Sequence, residues 1–462
     1  MERVLAMTSS IGLVIAMLLA PETLTAGTPK PKAAPSAPLP SDRLGRPAPL
    51  TDPSGKALKP FYAALRDIDA GKRDRARVVF YGASHMAADA FTKIIRHRLQ
   101  GYFGDAGPGF VVPARPWRNY NHRDVDIRYS KGWKSYWVSS RHNRDDGLYG
   151  LAGCSFESGD ENQFCRVSTR RKSEFGKSVS RIELYFWQQP KGGDLKVMID
   201  DKPARVVKTA AEKAGPGYLS VNVPEGEHTI ELRPAGNGTV LLFGVSLERD
   251  SKGVVVDTMG INGARASALL QWDPTVFSEH LRRRKPDLVV LAYGTNAVGD
   301  KRDPIPAYMA RLDKVLAQVK AAAPQASCVY VGPSDRPVKV VKDKKGRWGP
   351  PKKKRRRSRK LSADKDLRFL ARPRQRRIIR AQRRIAHKHG CAYWDWVRMM
   401  GGPLSMVKWV HSEPRLGAMD YIHLTGRGYV RAANLFWKAL MRGYGPLPTP
   451  GQKKAATARK PD

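Results

Sequence analysis

The chain has 462 residues, 41% of them hydrophobic and 27% charged, which exceeds what one core usually fills and excludes an intrinsically disordered protein. Lys and Arg number 83 against 42 Asp and Glu, a formal charge of +41, so the natural partners of the surface are polyanions: nucleic acid, anionic lipid or the acidic polymers of a cell wall. The four cysteines have no metal-ligand spacing, so no zinc site is read from them, and no cofactor is expected.

In chain order, Arg3 precedes an apolar run from Ile11 to Ala20, then Pro21 and small residues to Ala26. The run is shorter than the roughly 20 residues that span a bilayer, and residues 1–26 read as a secretory signal cut near Ala26. The mature chain is then exported, periplasmic or secreted, without a transmembrane helix, and export argues against nucleic acid as the partner. Residues 27–58, rich in Pro, Ala and Ser, read as a disordered or semi-extended linker, with order beginning near Phe61.

Arg77-Val-Val-Phe-Tyr81 predicts a strand, Gly82-Ala83-Ser84-His85 a tight turn, and Ala87, Phe91, Ile94, Ile95, Leu99, Tyr102 and Phe103 recur at helical spacing. From Trp137 to Asp250 short alternating or apolar runs follow one another without helices, separated by turns such as Gly192-Gly193-Asp194, which predicts a β-sandwich. Strands then alternate with helices again: Val254–Asp257, Asp287–Tyr293, helix Ile305–Ala322, strand Cys328–Val331, helix Gln375–His389 and strand Cys391–Trp396. The fold class is therefore α/β, a three-layer α/β/α parallel sheet built from residues 59–136 and 251–445, with the β-module at 137–250 inserted. Residues 446–462 read as a basic tail. Cys154 and Cys165 are near enough in sequence to close a small loop; Cys328 and Cys391 can meet if their strands are neighbours; four free thiols are the alternative.

A serine at a strand–helix turn is held up from the sheet edge, and a helix start favours developing negative charge. Three further blocks follow Ser84 in order: Gly260-Ile-Asn-Gly263-Ala after one strand, Gly294-Thr295-Asn296 after another, and Asp420-Tyr-Ile-His423 before a last helix. In a parallel sheet the loops at the strand C-terminal ends gather on one edge, where ligands bind. Each residue alone has a plain structural reading: helix caps for Ser84 and Asp420, turn formers for Asn296 and Gly263.

The four ordered blocks resemble those of the SGNH (GDSL-like) hydrolases. The resemblance implies a metal-free serine esterase with Ser84 as nucleophile, Asp420 and His423 completing a triad, and an oxyanion hole from the backbone amides of Ser84 and Gly263 and the side chain of Asn296. Gly263 is preferred to Gly260 for its place before Ala264-Arg265. One departure is Ala83, where the family commonly has Asp. His85 and Gly104-Asp105-Ala106-Gly107-Pro108-Gly109-Phe110 are similar to bacterial peptidoglycan O-acetylesterases, which also carry a carbohydrate-binding-module-like β-domain after the first block. This implies an acetylated glycan, peptidoglycan first, as substrate. Trp133, Trp137 and Trp187 suit stacking on sugars, although core packing is the commoner fate of such residues.

Arg336–Lys360 holds fourteen Lys or Arg and one acidic residue, including six successive cations at Lys352–Arg357. It reads either as a solvated loop or as a tether to an anionic envelope polymer. The chain is expected to be a monomer. Two alternatives to the esterase remain open from sequence: an acetyltransferase using the same triad, and a wall-binding protein with a decayed site.

Overall fold

The structure, a computed structural model, describes residues 31–447 except 36, 139–141, 301, 344 and 350–366. The signal segment 1–26, the Lys352–Arg357 run and all but the first two residues of the 446–462 tail lie outside the described residues.

Five strands form the central sheet: β1 (Arg75–Gly82), β2 (Gly253–Gly260), β3 (Leu288–Ala292), β4 (Ser327–Val331) and β5 (Ala392–Trp394), in spatial order β2-β1-β3-β4-β5. All four pairings are parallel. Successive residues of β1 point to opposite faces. Val78 and Phe80 join one core with Phe61 and Leu65 of α1 (Lys59–Asp69), Leu99 of α3 (Thr92–Phe103) and Phe436 of α7 (Gly426–Met441). Val79 and Tyr81 join the other with Phe277 of α4 (Pro274–Arg284), Leu316 of α5 (Ile305–Ala322) and Ile378 of α6 (Pro373–Lys388). Burial on both faces explains the unbroken apolar strand sequences; each such side chain contributes about 1.5–3 kcal/mol.

Two antiparallel sheets are built from strands that lie between β1 and β2 in the chain. One has five strands in the order Lys202–Lys208, Asp194–Ile199, Thr229–Pro234, Cys165–Thr169, Val125–Tyr129. The other runs Gly215–Gly226, Val179–Gln188, Val240–Glu248, Cys154–Ser158, Lys134–Trp137, with Gly109–Val111 added beside Val240–Glu248. Apolar residues of both, such as Val167, Leu232, Phe156 and Leu184, share the core on the α4–α6 side. These sheets thus take in strands from Gly109 onward, ahead of Trp137; Val125-Asp-Ile-Arg-Tyr alternates as a strand should, but over too few residues to stand out.

Cys328 of β4 and Cys391, just before β5, form a disulfide, as neighbouring parallel strands permit. Cys154 and Cys165 are free and buried, because their strands belong to different sheets. The expected linker is ordered well before Phe61. Leu39–Pro40 pairs with Ser412–Glu413, Thr51 bridges Tyr393, and the Ala48 carbonyl accepts from Trp394 Nε1 at 2.9 Å. This docking runs through backbone groups of an extended segment, which leave no apolar period in the sequence.

Candidate active site

β1 ends on Gly82, where a Cβ would lie 2.4 Å from Met86 Cγ, so glycine lets the chain fold straight back over the sheet edge. Ser84 follows as the first residue of α2 (Ser84–Ala87) and is half-buried. The helix expected to continue from here is broken. Asp89 takes a positive φ of 52°, and α3 starts at Thr92. The cause is a buried charge cluster: the Asp89 carboxylate accepts from Arg96 Nη2 at 2.6 Å, Arg123 N at 2.8 Å and Thr258 Oγ1 at 3.2 Å, and Arg96 also bonds Asp124. Burial pushes the Asp89 carboxyl up, but the Arg96 guanidinium and the neighbouring His122 together hold it below its ordinary value.

The loop before α7 delivers the other two polar groups. Asp420 Oδ1 accepts from the backbone amides of Ile422 and His423 at 2.9 and 3.0 Å, with Tyr421 at φ 60° between them. Oδ2 lies 2.6 Å from His423 Nδ1, and His423 Nε2 lies 2.8 Å from Ser84 Oγ. Burial pushes the Asp420 carboxyl up, yet the imidazole and the two amides together hold it well below the usual carboxylate range. With the proton on Nδ1 directed at Asp420, Nε2 is free to accept the hydroxyl proton of Ser84.

The loops after β2 and β3 meet beside this trio. Asn296, on the short helical turn Thr295–Val298, donates from Nδ2 to the Ala264 carbonyl at 2.9 Å, and Arg265 Nε pairs with Asp300 at 2.6 Å. The two candidate glycines differ. At Gly260 a Cβ would sit 2.3 Å from Ala87 N, so that glycine packs the strand end against α2. Gly263 has φ 77° and faces open space.

Several contributors, His85 among them, had no role in the site assigned from sequence. His85 is buried, with Nδ1 2.9 Å from Tyr429 Oη and Nε2 2.9 Å from Ser334 Oγ. Burial, then the neighbouring His423, push it down to about 3, so it stays neutral. Arg336, counted above within the basic segment, instead donates from Nη1 to the Thr295 carbonyl at 2.7 Å. Gln382 Nε2 donates to the Tyr293 carbonyl at 3.0 Å and Arg374 Nε to that of Ala297 at 2.9 Å, so α6 braces the Asn296 loop from behind. Only long-range contacts give these residues their places. Part of the basic segment is also strand: Val338–Lys342 pairs with Arg368–Leu370 and Trp348–Gly349. Trp133 is buried, and Trp137 and Trp187 are partly buried against the core.

Ser, His and Asp in one hydrogen-bonded line at the C-terminal edge of a 2-1-3-4-5 parallel sheet form the constellation of a serine hydrolase. Residues 234–431, less than half of the chain, match the family model of the GDSL-like Lipase/Acylhydrolase family, and the span includes Asn296, Asp420 and His423 but not Ser84. Among solved structures, a peptidoglycan O-acetylesterase captured in action is similar over 86% of this chain and 99% of its own, at 24% identity and a TM-score of 0.64, and it shares the fold. A salicylyl-acyltransferase from a tetracycline biosynthetic pathway aligns over 73% of this chain and 98% of its own at 15% identity and a TM-score of 0.29. A family two carbohydrate esterase from Cellvibrio japonicus aligns over 69% and 98% at 12% identity and 0.27. No curated protein matches the sequence. Among the described residues no helix is long and apolar enough to cross a membrane.

Proposed function

We propose that the protein is a serine esterase that removes O-acetyl groups from a cell-envelope polysaccharide, peptidoglycan first among them. The observation that carries this reading is the Asp420–His423–Ser84 line of hydrogen bonds at 2.6 and 2.8 Å. His423 Nε2 takes the Ser84 proton as Oγ bonds to the acetyl carbonyl carbon. The amides of Ser84 and Gly263 and the free N–H of Asn296 receive the oxyanion. The C–O bond to the sugar breaks, the sugar oxygen takes the proton from His423, and acetyl-Ser84 remains. Water then attacks the acyl carbon, gives its proton to His423, and acetate leaves as Oγ regains a proton.

The two antiparallel sheets are read as an inserted β-sandwich that holds glycan near the site, and the mature protein as an exported monomer. The Lys352–Arg357 run is read as a tether to an anionic envelope polymer. The deciding experiment is acetate release. The protein should hydrolyse p-nitrophenyl acetate and release acetate from O-acetylated peptidoglycan, with no acetyl appearing on added glycan acceptor. Absence of both activities from folded protein sinks the esterase; acetyl on the acceptor replaces it by a transferase.

The oxyanion role of Asn296 has its own check. Asn296→Ala should lower turnover by about 10²–10³-fold, the loss of one such donor, while KM changes little because the bond forms in the transition state. A rise in KM at normal turnover would assign Asn296 to ground-state binding instead.

A further inference from the structure

Helix α6 carries seven Lys or Arg and no acidic residue over Pro373–Lys388. Its inner face is committed: Gln375, Ile378, Ala381, Gln382, Ile385 and Ala386 are buried. At 3.6 residues per turn, the exposed Arg376, Arg377, Arg380, Arg383, Arg384 and Lys388 fall together on the opposite side, in one arc of roughly 140°. The arc follows a helix of 16 residues, about 24 Å at 1.5 Å per residue. The apolar side chain within it is Pro373 at the helix start; Ile379 packs against the core.

The ion pairs of this helix with described residues are Arg374–Asp303 and Lys388–Asp313. Among the described residues, Arg376, Arg377, Arg380, Arg383 and Arg384 have none. Such an arrangement works against the helix itself. Arg376, Arg380 and Arg384 repel at i,i+4 spacing, and Arg374, Arg376 and Arg377 crowd the end where the backbone dipole is already positive. Local folding therefore does not account for the array, whereas an external anion relieves both penalties. Guanidinium forks match phosphate and carboxylate groups with paired hydrogen bonds, which a row of ammonium groups does not.

We propose that the outer face of α6 is a docking surface for a linear polyanion, whose phosphate or carboxylate groups lie along these five arginines. A chain polymer suits the shape: the charge forms a ridge one helix wide. A lipid surface is disfavoured because the face offers no large aliphatic or aromatic side chain to enter a bilayer. This surface is distinct in sequence from the Lys352–Arg357 run and stands whether or not the esterase reading holds.

The test uses the full chain with Lys352–Arg357 replaced by Gly and Ser, so that this run of cations cannot contribute. Medium-chain polyphosphate, polygalacturonate and phosphatidylcholine/phosphatidylglycerol vesicles are titrated at several salt concentrations. The same titrations are run on a variant that also carries Arg376→Gln, Arg380→Gln, Arg383→Gln and Arg384→Gln. At least one polymer should bind the starting protein and bind the variant about tenfold or more weakly at physiological salt. The slope of log K against log salt should flatten by about 0.7 per arginine removed, the value for single-stranded polyanions. Thermal melting should hold or rise, since repulsion has been removed, and p-nitrophenyl acetate turnover should be unchanged. Failure of both polymers to bind, or binding and slope untouched by the four substitutions, overturns the proposal. So does arginine-dependent binding of the vesicles alone.

Discussion

Replacing Ser84 with Ala should lower turnover of p-nitrophenyl acetate and of O-acetylated glycan by about 10⁴-fold or more, the scale on which loss of a triad member acts. The structure explains why so small a change has so large an effect. Ser84 Oγ is the atom that His423 Nε2 faces at 2.8 Å, and alanine leaves that imidazole with nothing to deprotonate. The fold should not suffer. The turn is set by Gly82 and by the Ala83 carbonyl, which accepts from the amides of Met86 and Ala87 at 2.9 and 3.1 Å, and none of these involves the hydroxyl. Melting should therefore shift little while activity vanishes. A serine-directed phosphonate should add once to the parent, at Ser84, and not to the variant. Activity within a few-fold of the parent would place the nucleophile elsewhere.

Much of the architecture can be read in the chain because its signals are local. The strands around Val78–Tyr81 and Leu288–Ala292 are buried on both faces, so they appear as unbroken apolar runs, and the glycines and polar residues just after them mark the sheet edge. The Cys328–Cys391 pairing followed from two strands becoming neighbours. What escaped is what depends on partners remote in sequence. Asp89 breaks the first helix because it faces Arg96 and Thr258, and nothing within its own turn announces that. Arg336 and Gln382 look like members of a basic loop and a basic helix; only the folded chain puts them behind the Asn296 loop. The segment through Ala48 docks by backbone hydrogen bonds, which any composition can make. For the candidate site, the order of the blocks named the residues, and the structure sets Ser84, His423 and Asp420 in one line; the roles still await the variants.

Asp420→Asn is the sharper test of those roles, because it separates orientation from presence. Asparagine is nearly isosteric and can keep its carbonyl oxygen on the amides of Ile422 and His423, which hold the loop together. The position facing His423 Nδ1 then becomes an NH₂ group, a donor where the parent has an acceptor. The imidazole answers by carrying its proton on Nε2, the nitrogen that must take the proton of Ser84. Turnover should fall by about 10⁴-fold, with KM close to that of the parent, since nothing that touches the ground-state ester has changed. Stability supplies a second readout whose sign is fixed. The Asp420 carboxyl is held well below its ordinary value in the folded protein, so its contribution is complete above the unfolded carboxyl value, about pH 4, and fades as pH falls towards the folded one. The difference in melting temperature between parent and Asp420→Asn should accordingly be greatest near neutrality and narrow below about pH 4. A variant that keeps turnover would show that His423 needs no acceptor at Nδ1. A melting difference that stays constant through the acid range would show that this carboxylate is not held by the imidazole and the two amides.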